Sequence, residues 1–175
     1  MSARPLEIRR ATGTDAAALA EFAARAFVDA YGPLNDPADV ALHVARTYGA
    51  ERQAGEIAAA GACYLLALDG AAIVGYAYLQ AGSPPPRIEA AAPCEVRRFY
   101  VDRARHGRGV ATALMEAAFA EARAGGAQTV WLTTWEHSAR ARAFYAKCGF
   151  VDAGEAPFLL GAAPQTDRLL VRRLG

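Results

Sequence analysis

Alternation opens this chain, a helical period follows, and each switch between the two marks an element. Leu6 to Arg10 alternates apolar and polar positions as a half-exposed strand does. Thr14 or Asp15 is placed to cap a helix whose inner stripe is Leu19, Phe22, Ala23, Ala26 and Ala30. Tyr31-Gly32-Pro33 ends that helix. Asp36, Pro37 and Asp39 then supply a cap, a first-turn proline and an acid near the positive end of the helix dipole. A second helix runs on to Tyr48, and a short third spans Ala50 to Ala59.

From Ala62 the period falls to two. Ala62–Asp69 and Ala72–Leu79, joined by Asp69-Gly70, read as a hairpin on a favoured turn. Gly82 to Pro86 is a loop, and Glu95–Val101 is the next strand. Beyond it Val110, Leu114, Ala117 and Ala118 line the inner face of a helix that Gly125-Gly126 ends. Thr129–Thr134 is β-branched and aromatic, hence a strand. Ser138 stands to cap a helix with Ala141, Phe144, Tyr145 and Cys148 on one face, and Gly149 stops it. Final strands lie around Phe150–Gly154 and Asp167–Leu174. This order predicts a mixed α/β fold, a sheet flanked by helices.

Composition narrows the classes. The 175 residues suit one domain, 1–175, with a real core. A net charge of +1 gives no electrostatic ground for nucleic acid or an anionic membrane as partner. No apolar run approaches the ~18 residues of a membrane span, and the first residues lack the apolar stretch of a signal peptide. Cys63, Cys94 and Cys148 have no metal-ligand spacing, and His43, His106 and His137 lie far apart. A cytoplasmic, reduced and metal-free protein is expected.

The chemistry concentrates between Val101 and Met115, where a strand passes through a glycine turn directly into a helix. Gly107 and Gly109 permit positive φ and close approach of the backbone to a ligand. The helix behind them offers unpaired N–H groups and a positive dipole end, the ordinary means of holding phosphate. A plain tight turn is the competing reading. The spacing fits neither G-x-x-x-x-G-K-[ST] nor G-x-G-x-x-G.

His106-Gly107-Arg108-Gly109-Val110-Ala111 resembles the R/Q-x-x-G-x-G/A pyrophosphate signature of the Gcn5-related N-acetyltransferases (GNAT), departing from it at His106. The order of elements matches that family across nearly the whole chain. The resemblance implies a mostly antiparallel, twisted sheet of about seven strands and acetyl-CoA as cosubstrate. It places the pantetheine arm along Phe99, Tyr100 and Val101, and the diphosphate on Gly107, Arg108, Gly109, Val110, Ala111 and Thr112. Arg103, Arg105 and Arg108 could meet the outer phosphates, although plain surface charge is the better reading for any one of them.

Trp135 to Phe150 resembles the family's N-x-x-A-x-x-F-Y-x-x-x-G-F helix, with Ser138 in place of Asn. Tyr145 falls on the tyrosine that protonates the departing thiolate, and its rival role is a core residue on the apolar stripe. Ser138 would order the cofactor arm or cap the helix. For the general base, Glu95 begins the strand on which relatives carry an acid, while an exposed edge-strand charge and a pair with Arg97 or Arg98 are the alternatives. Glu136 is the substrate-amine candidate. Thr133 occupies a position that is acidic in relatives acting on ribosomal proteins.

Phe158-Leu159-Leu160-Gly161, Gln165-Thr166-Asp167, Leu169–Leu174, Phe27 with Tyr31, Asn35 with Asp39, and Trp135-Glu136 resemble PaiA-type spermine/spermidine acetyltransferases. That likeness implies a small-molecule amine such as a polyamine as acceptor, and a possible homodimer. Protein N-terminal or lysine amines are the second choice. A non-catalytic acyl-CoA-binding regulator is the reading from another class.

Overall fold

The computed structural model describes residues 6–175. Its strands are β1 (Glu7–Arg10), β2 (Ala62–Asp69), β3 (Ala72–Ala81), β4 (Pro93–Val101), β5 (Thr129–Trp135), β6 (Val151–Leu160) and β7 (Ala163–Arg173). The helices are α1 (Ala16–Tyr31), α2 (Pro37–Thr47), α3 (Ala50–Ile57), α4 (Val110–Ala124) and α5 (Ala139–Lys147). One seven-stranded sheet has the order β1-β2-β3-β4-β5-β7-β6. Every neighbouring pair is antiparallel except β4 with β5.

Alternation along β2 and β3 feeds two cores. Leu65, Ala67, Val74, Ala77 and Leu79 pack with Leu114, Met115 and Phe119 of α4. Tyr64, Leu66, Tyr76 and Tyr78 pack with Leu19, Phe22, Ala23 and Phe27 of α1. With both faces covered, β2 can be apolar almost throughout, as its sequence is.

Several expectations need correction. Neither Thr14 nor Asp15 caps α1 through its side chain. A 3-10 turn over Gly13–Asp15 precedes the helix, with Thr12 at its cap. Asp15 Oδ2 accepts from the Thr12 amide at 2.8 Å, and the carboxylate also takes both terminal nitrogens of Arg9 at 2.8 and 2.9 Å. Ala30 is exposed and Phe27 is buried instead, because the last turn of α1 overhangs an open cleft. Ser138 sits at the cap of α5 but makes no capping hydrogen bond from its side chain.

The last two strands are longer than their apolar runs suggested. Pro157 and Gly161 obscured one continuous hairpin in which Val151 to Leu160 pairs with Ala163 to Val171. Since β6 is the sheet edge, Pro157 has an outer side where a missing N–H costs nothing. At the hairpin tip a Cβ on Gly161 would lie 2.6 Å from Asp39 Cα, and the Ala162 amide donates to Asp39 Oδ1 at 2.8 Å. That close approach ties the hairpin to α2.

Candidate active site

One incomplete strand pair creates the site. β4 and β5 are in register only at Pro93↔Thr129, Cys94↔Val130 and Glu95↔Trp131. Past those residues β4 continues with β3, and β5 with β7. A bulge accounts for the parting. Tyr78 pairs with Arg98 and Leu79 with Val96, which leaves Arg97 as the extra residue, and a bulge bends its strand and raises the local twist. A cleft of about 1390 Å³ opens there, walled by residues from Glu95 to Val101 and from Leu132 to Trp135. The unpaired edge of β4 presents backbone groups to an extended ligand.

At the end of β4 the chain is turned by Asp102, whose Oδ1 accepts from the Ala104 amide at 2.9 Å. His106 Nε2 lies 3.0 Å from the Val101 carbonyl. In that geometry Nε2 carries the proton and braces the loop against the strand. Gly107 and Gly109 have φ of 73° and 80°, and a Cβ on either meets nothing within 4 Å. Glycine is therefore required by the dihedral, and the space in front of the backbone is open. The Ala113 amide makes the first bond of α4, to the Gly109 carbonyl at 3.0 Å. The amides of Val110, Ala111 and Thr112 precede it and are left for a ligand at the positive end of the helix.

Gly107, Gly109, Ala111 and Thr112 line the cleft. Arg108 lies outside its lining, and the Val110 side chain is buried in the core under α4. Arg103 lines the cleft with no ion pair to a described residue, whereas Arg105 is committed to Asp69 at 2.5 Å.

Phe99, Tyr100 and Val101 all line the cleft. Phe99 packs on Phe144 and Tyr145 at centroid distances of 5.7 and 6.2 Å. Tyr100 points through the opposite face toward Tyr76 and Phe27. Tyr145 is 7% exposed and wedged between Phe99, Phe144 and Phe150. Its hydroxyl has no hydrogen bond to a described residue. Burial pushes its pKa far above the usual phenol value, with Tyr31 and Cys148 adding to the effect. Such a phenol stays protonated and keeps a proton to donate. Ser138 is half-buried in the cleft wall near the start of α5.

The two glutamates part company. Glu95 lines the cleft, with Oε2 accepting from Ser83 Oγ at 2.7 Å and from Arg97 Nε at 2.9 Å. Glu136 does not line it: β5 ends at Trp135, the chain turns, and the Glu136 carboxylate faces His137 at 3.6 Å.

The wall opposite β4 was not foreseen as a site. Phe27 stacks on Tyr31 at 4.5 Å and on His43 at 4.4 Å; Tyr31 meets Trp135 and His43 meets Phe158, both at 5.7 Å. Burial, aided by Arg98, lowers the basicity of His43. Asp167 on β7 pairs across the sheet with Trp135 and lines the same recess. It is 6% exposed, and its Oδ1 has no hydrogen-bond partner. Burial raises its carboxyl above the ordinary range; a hydrogen bond from Thr133 opposes the rise and Glu136 adds to it. The sequence held two signals: Asp167 lies in the Gln165-Thr166-Asp167 segment that carries the PaiA-type likeness, and it shares the parity of Leu169, an inward position of β7.

A sheet split beside an amide-lined helix start, with a buried phenol between, defines a cleft built for an extended ligand with an anionic end. The model of the acetyltransferase (GNAT) family matches residues 19–150. A protein of Mycobacterium bovis named as an uncharacterized N-acetyltransferase is 36% identical over 161 residues, covering 92% of this chain and 99% of that protein. One from Lactobacillus delbrueckii subsp. lactis, similarly named, is 33% identical over 149 residues, 85% of this chain and 86% of its own length. Among solved structures, the PaiA N-acetyltransferase from Thermoplasma acidophilum in complex with coenzyme A superposes with a TM-score of 0.81 at 18% identity, covering 97% of this chain and 99% of that one. The yncA protein of Salmonella typhimurium with its cofactor acetyl-CoA gives 0.67 at 19% identity, covering 97% of this chain and 94% of that one. The chain belongs to the GNAT acetyltransferase family and has its mixed α/β fold. It is an N-acetyltransferase. No helix among the described residues is long and apolar enough to cross a membrane.

Proposed function

We propose that the protein moves the acetyl group of acetyl-CoA to a primary amine of a small molecule, a polyamine being the leading class, by direct attack of the amine. The observation that carries this is the continuous path from the free edge of β4 to the amides of α4, with the Tyr145 phenol on it. The residues fit the coenzyme. The edge from Phe99 to Val101 suits the amide-bearing pantetheine arm, with Ser138 on the facing wall. The open cradle at Gly107, Gly109, Val110, Ala111 and Thr112 suits the diphosphate, with Arg103 beside it. When bound, the coenzyme supplies an activated thioester.

Tyr145 is the proton donor to the leaving sulfur. Its buried hydroxyl is spared by the protein's own hydrogen bonds and stays protonated throughout the working pH range. Glu95, the expected base, already holds Ser83 and Arg97 through one oxygen. Two finds favour a small acceptor: side chains of α1, α2 and the β6–β7 hairpin wall the recess, and Thr133 brings no acid to β5. Support for a polyamine comes from the sequence likeness to PaiA-type acetyltransferases.

The test is release of free thiol from acetyl-CoA with a panel of amines that includes spermidine, with the wild type set against Tyr145→Phe. Tyr145→Phe should lose roughly 10²-fold or more in kcat and keep its acetyl-CoA affinity. Because no protein hydrogen bond is lost, its stability should stay within about 1 kcal/mol of wild type. Equal turnover by the two would remove Tyr145 from the chemistry. Coenzyme binding by a wild type that acetylates nothing would favour the regulator reading.

A further inference from the structure

We infer that Asp167 receives the ammonium group of the acceptor and takes the proton that the amine must lose before it attacks. This rests on the acetyltransferase reading above and supplies its missing base. Buried polar atoms in folded proteins are almost always hydrogen-bonded. Asp167 Oδ1 is an exception, on a residue 6% exposed in the lining of the reaction cleft.

The other acids of the lining are spoken for or remote. Glu95 is held by Ser83 and Arg97, Asp102 turns the chain at Ala104, and Asp29 sits exposed on the outer turn of α1. Around Asp167 the recess is aromatic, with Tyr31, Trp135, His43 and Phe158 on its walls. Aromatic faces accept both a cation and an apolar stem. The structure thus calls for one ammonium on a methylene or aromatic body. Any second positive charge of a polyamine stays toward the mouth.

Position supports chemistry as well as binding. Asp167 and Tyr145 line the same cleft, and between its walls Tyr31 packs on Trp135, the β5 partner of Asp167. Burial makes the Asp167 carboxylate more basic than usual, which suits it to accept a proton. The charged and titratable groups around it are Tyr31 from α1, His43 from α2 on the recess wall and Glu136 beyond β5, while its β6 partner, Ala156, is neutral.

The protons balance as follows. An ammonium gives one proton to Asp167 and becomes a neutral amine. Its nitrogen forms the new N–C bond, the C–S bond breaks, and the sulfur takes the Tyr145 proton. The nitrogen then returns a proton to Tyr145, keeps the last as the amide N–H, and Asp167 releases its own to solvent.

Asp167→Asn keeps the shape and removes the base. The experiment uses n-butylamine, 2-phenylethylamine and spermidine. It follows calorimetric binding to the coenzyme A-loaded protein, and kcat/KM for the amine from pH 6 to 9. In the variant, amine binding should be lost and kcat/KM at pH 7 should fall roughly 10²- to 10⁴-fold, with acetyl-CoA affinity kept. Its rate should climb about tenfold per pH unit, tracking free amine alone, where wild type stays nearly flat. Rates within threefold of wild type and a shared pH slope would overturn the anchor and leave the function standing. Amines that bind wild type, fail with Asp167→Asn and are never acetylated would sink the function and keep the anchor. No amine binding to the wild type would overturn both.

Discussion

At the scale of single residues, burial sets two oxygen acids to opposite tasks. Tyr145 and Asp167 are both pushed upward by desolvation. The phenol is held as a donor, and the carboxylate becomes a better acceptor. For Asp167 the arrangement has a stability consequence with a definite sign. Its folded pKa lies above the unfolded one, so its contribution is fully present below the unfolded value and is lost as pH rises through the folded value. Near pH 7.5 the wild type therefore carries an uncompensated charge that Asp167→Asn lacks. The variant should melt higher there, by on the order of 1 kcal/mol or about 2–4 °C, and the gain should vanish near pH 4. Thermal melts in matched buffers decide it; an equal gap at both pH values would assign the change to packing instead.

Between elements, the glycine turn into α4 was the most legible feature of the chain, because two glycines at positive φ leave a plain mark in sequence. Gly109 tests it. With φ at 80° and open space around a Cβ, Gly109→Ala meets strain of about 1–2 kcal/mol and no clash within the protein. Gly109→Val adds branched bulk directly over the cradle. Acetyl-CoA affinity by calorimetry should drop modestly for alanine and by at least a further tenfold for valine, and equal affinities for all three proteins would remove the diphosphate from this turn. The β4 bulge left a fainter trace. Cys94 and Val96 face the α4 core, and the next residue on that side is Phe99, so parity breaks at Arg97-Arg98. That break can be read in Glu95 to Phe99 once it is looked for, and it is what opens the cleft.

Over the whole molecule, legibility ended where the sheet order took over. Periodicity located the strands but could not insert β7 between β5 and β6, and that insertion sets Asp167 beside Trp135 and across from Tyr31. Glu136, adjacent to Trp135 in the chain, was the natural candidate for an amine site; it stands outside the cleft lining, yet near enough to Asp167 to raise its carboxyl. A long-range ion pair holds this assembly in place. Arg98, next to the bulge, grips Glu56 of α3 through two nitrogens at 2.7 and 3.1 Å. Tyr64 donates to the same carboxylate at 2.6 Å, and the guanidinium lies over Tyr48 and Tyr78. Burial works to raise the Glu56 carboxyl, but the hydrogen bonds from Arg98 and Tyr64 outweigh it and leave the pKa lowered. The resulting stability is present above the unfolded carboxyl value and is lost as pH falls through the folded one. Glu56→Gln leaves Arg98 without its counter-charge and should cost about 3 kcal/mol at pH 7. Wild type and variant should converge as acid protonates Glu56. Denaturant melts across pH 3 to 7 check this, and a difference that persists unchanged at low pH would show that the carboxylate charge is not what fastens α3 to β4.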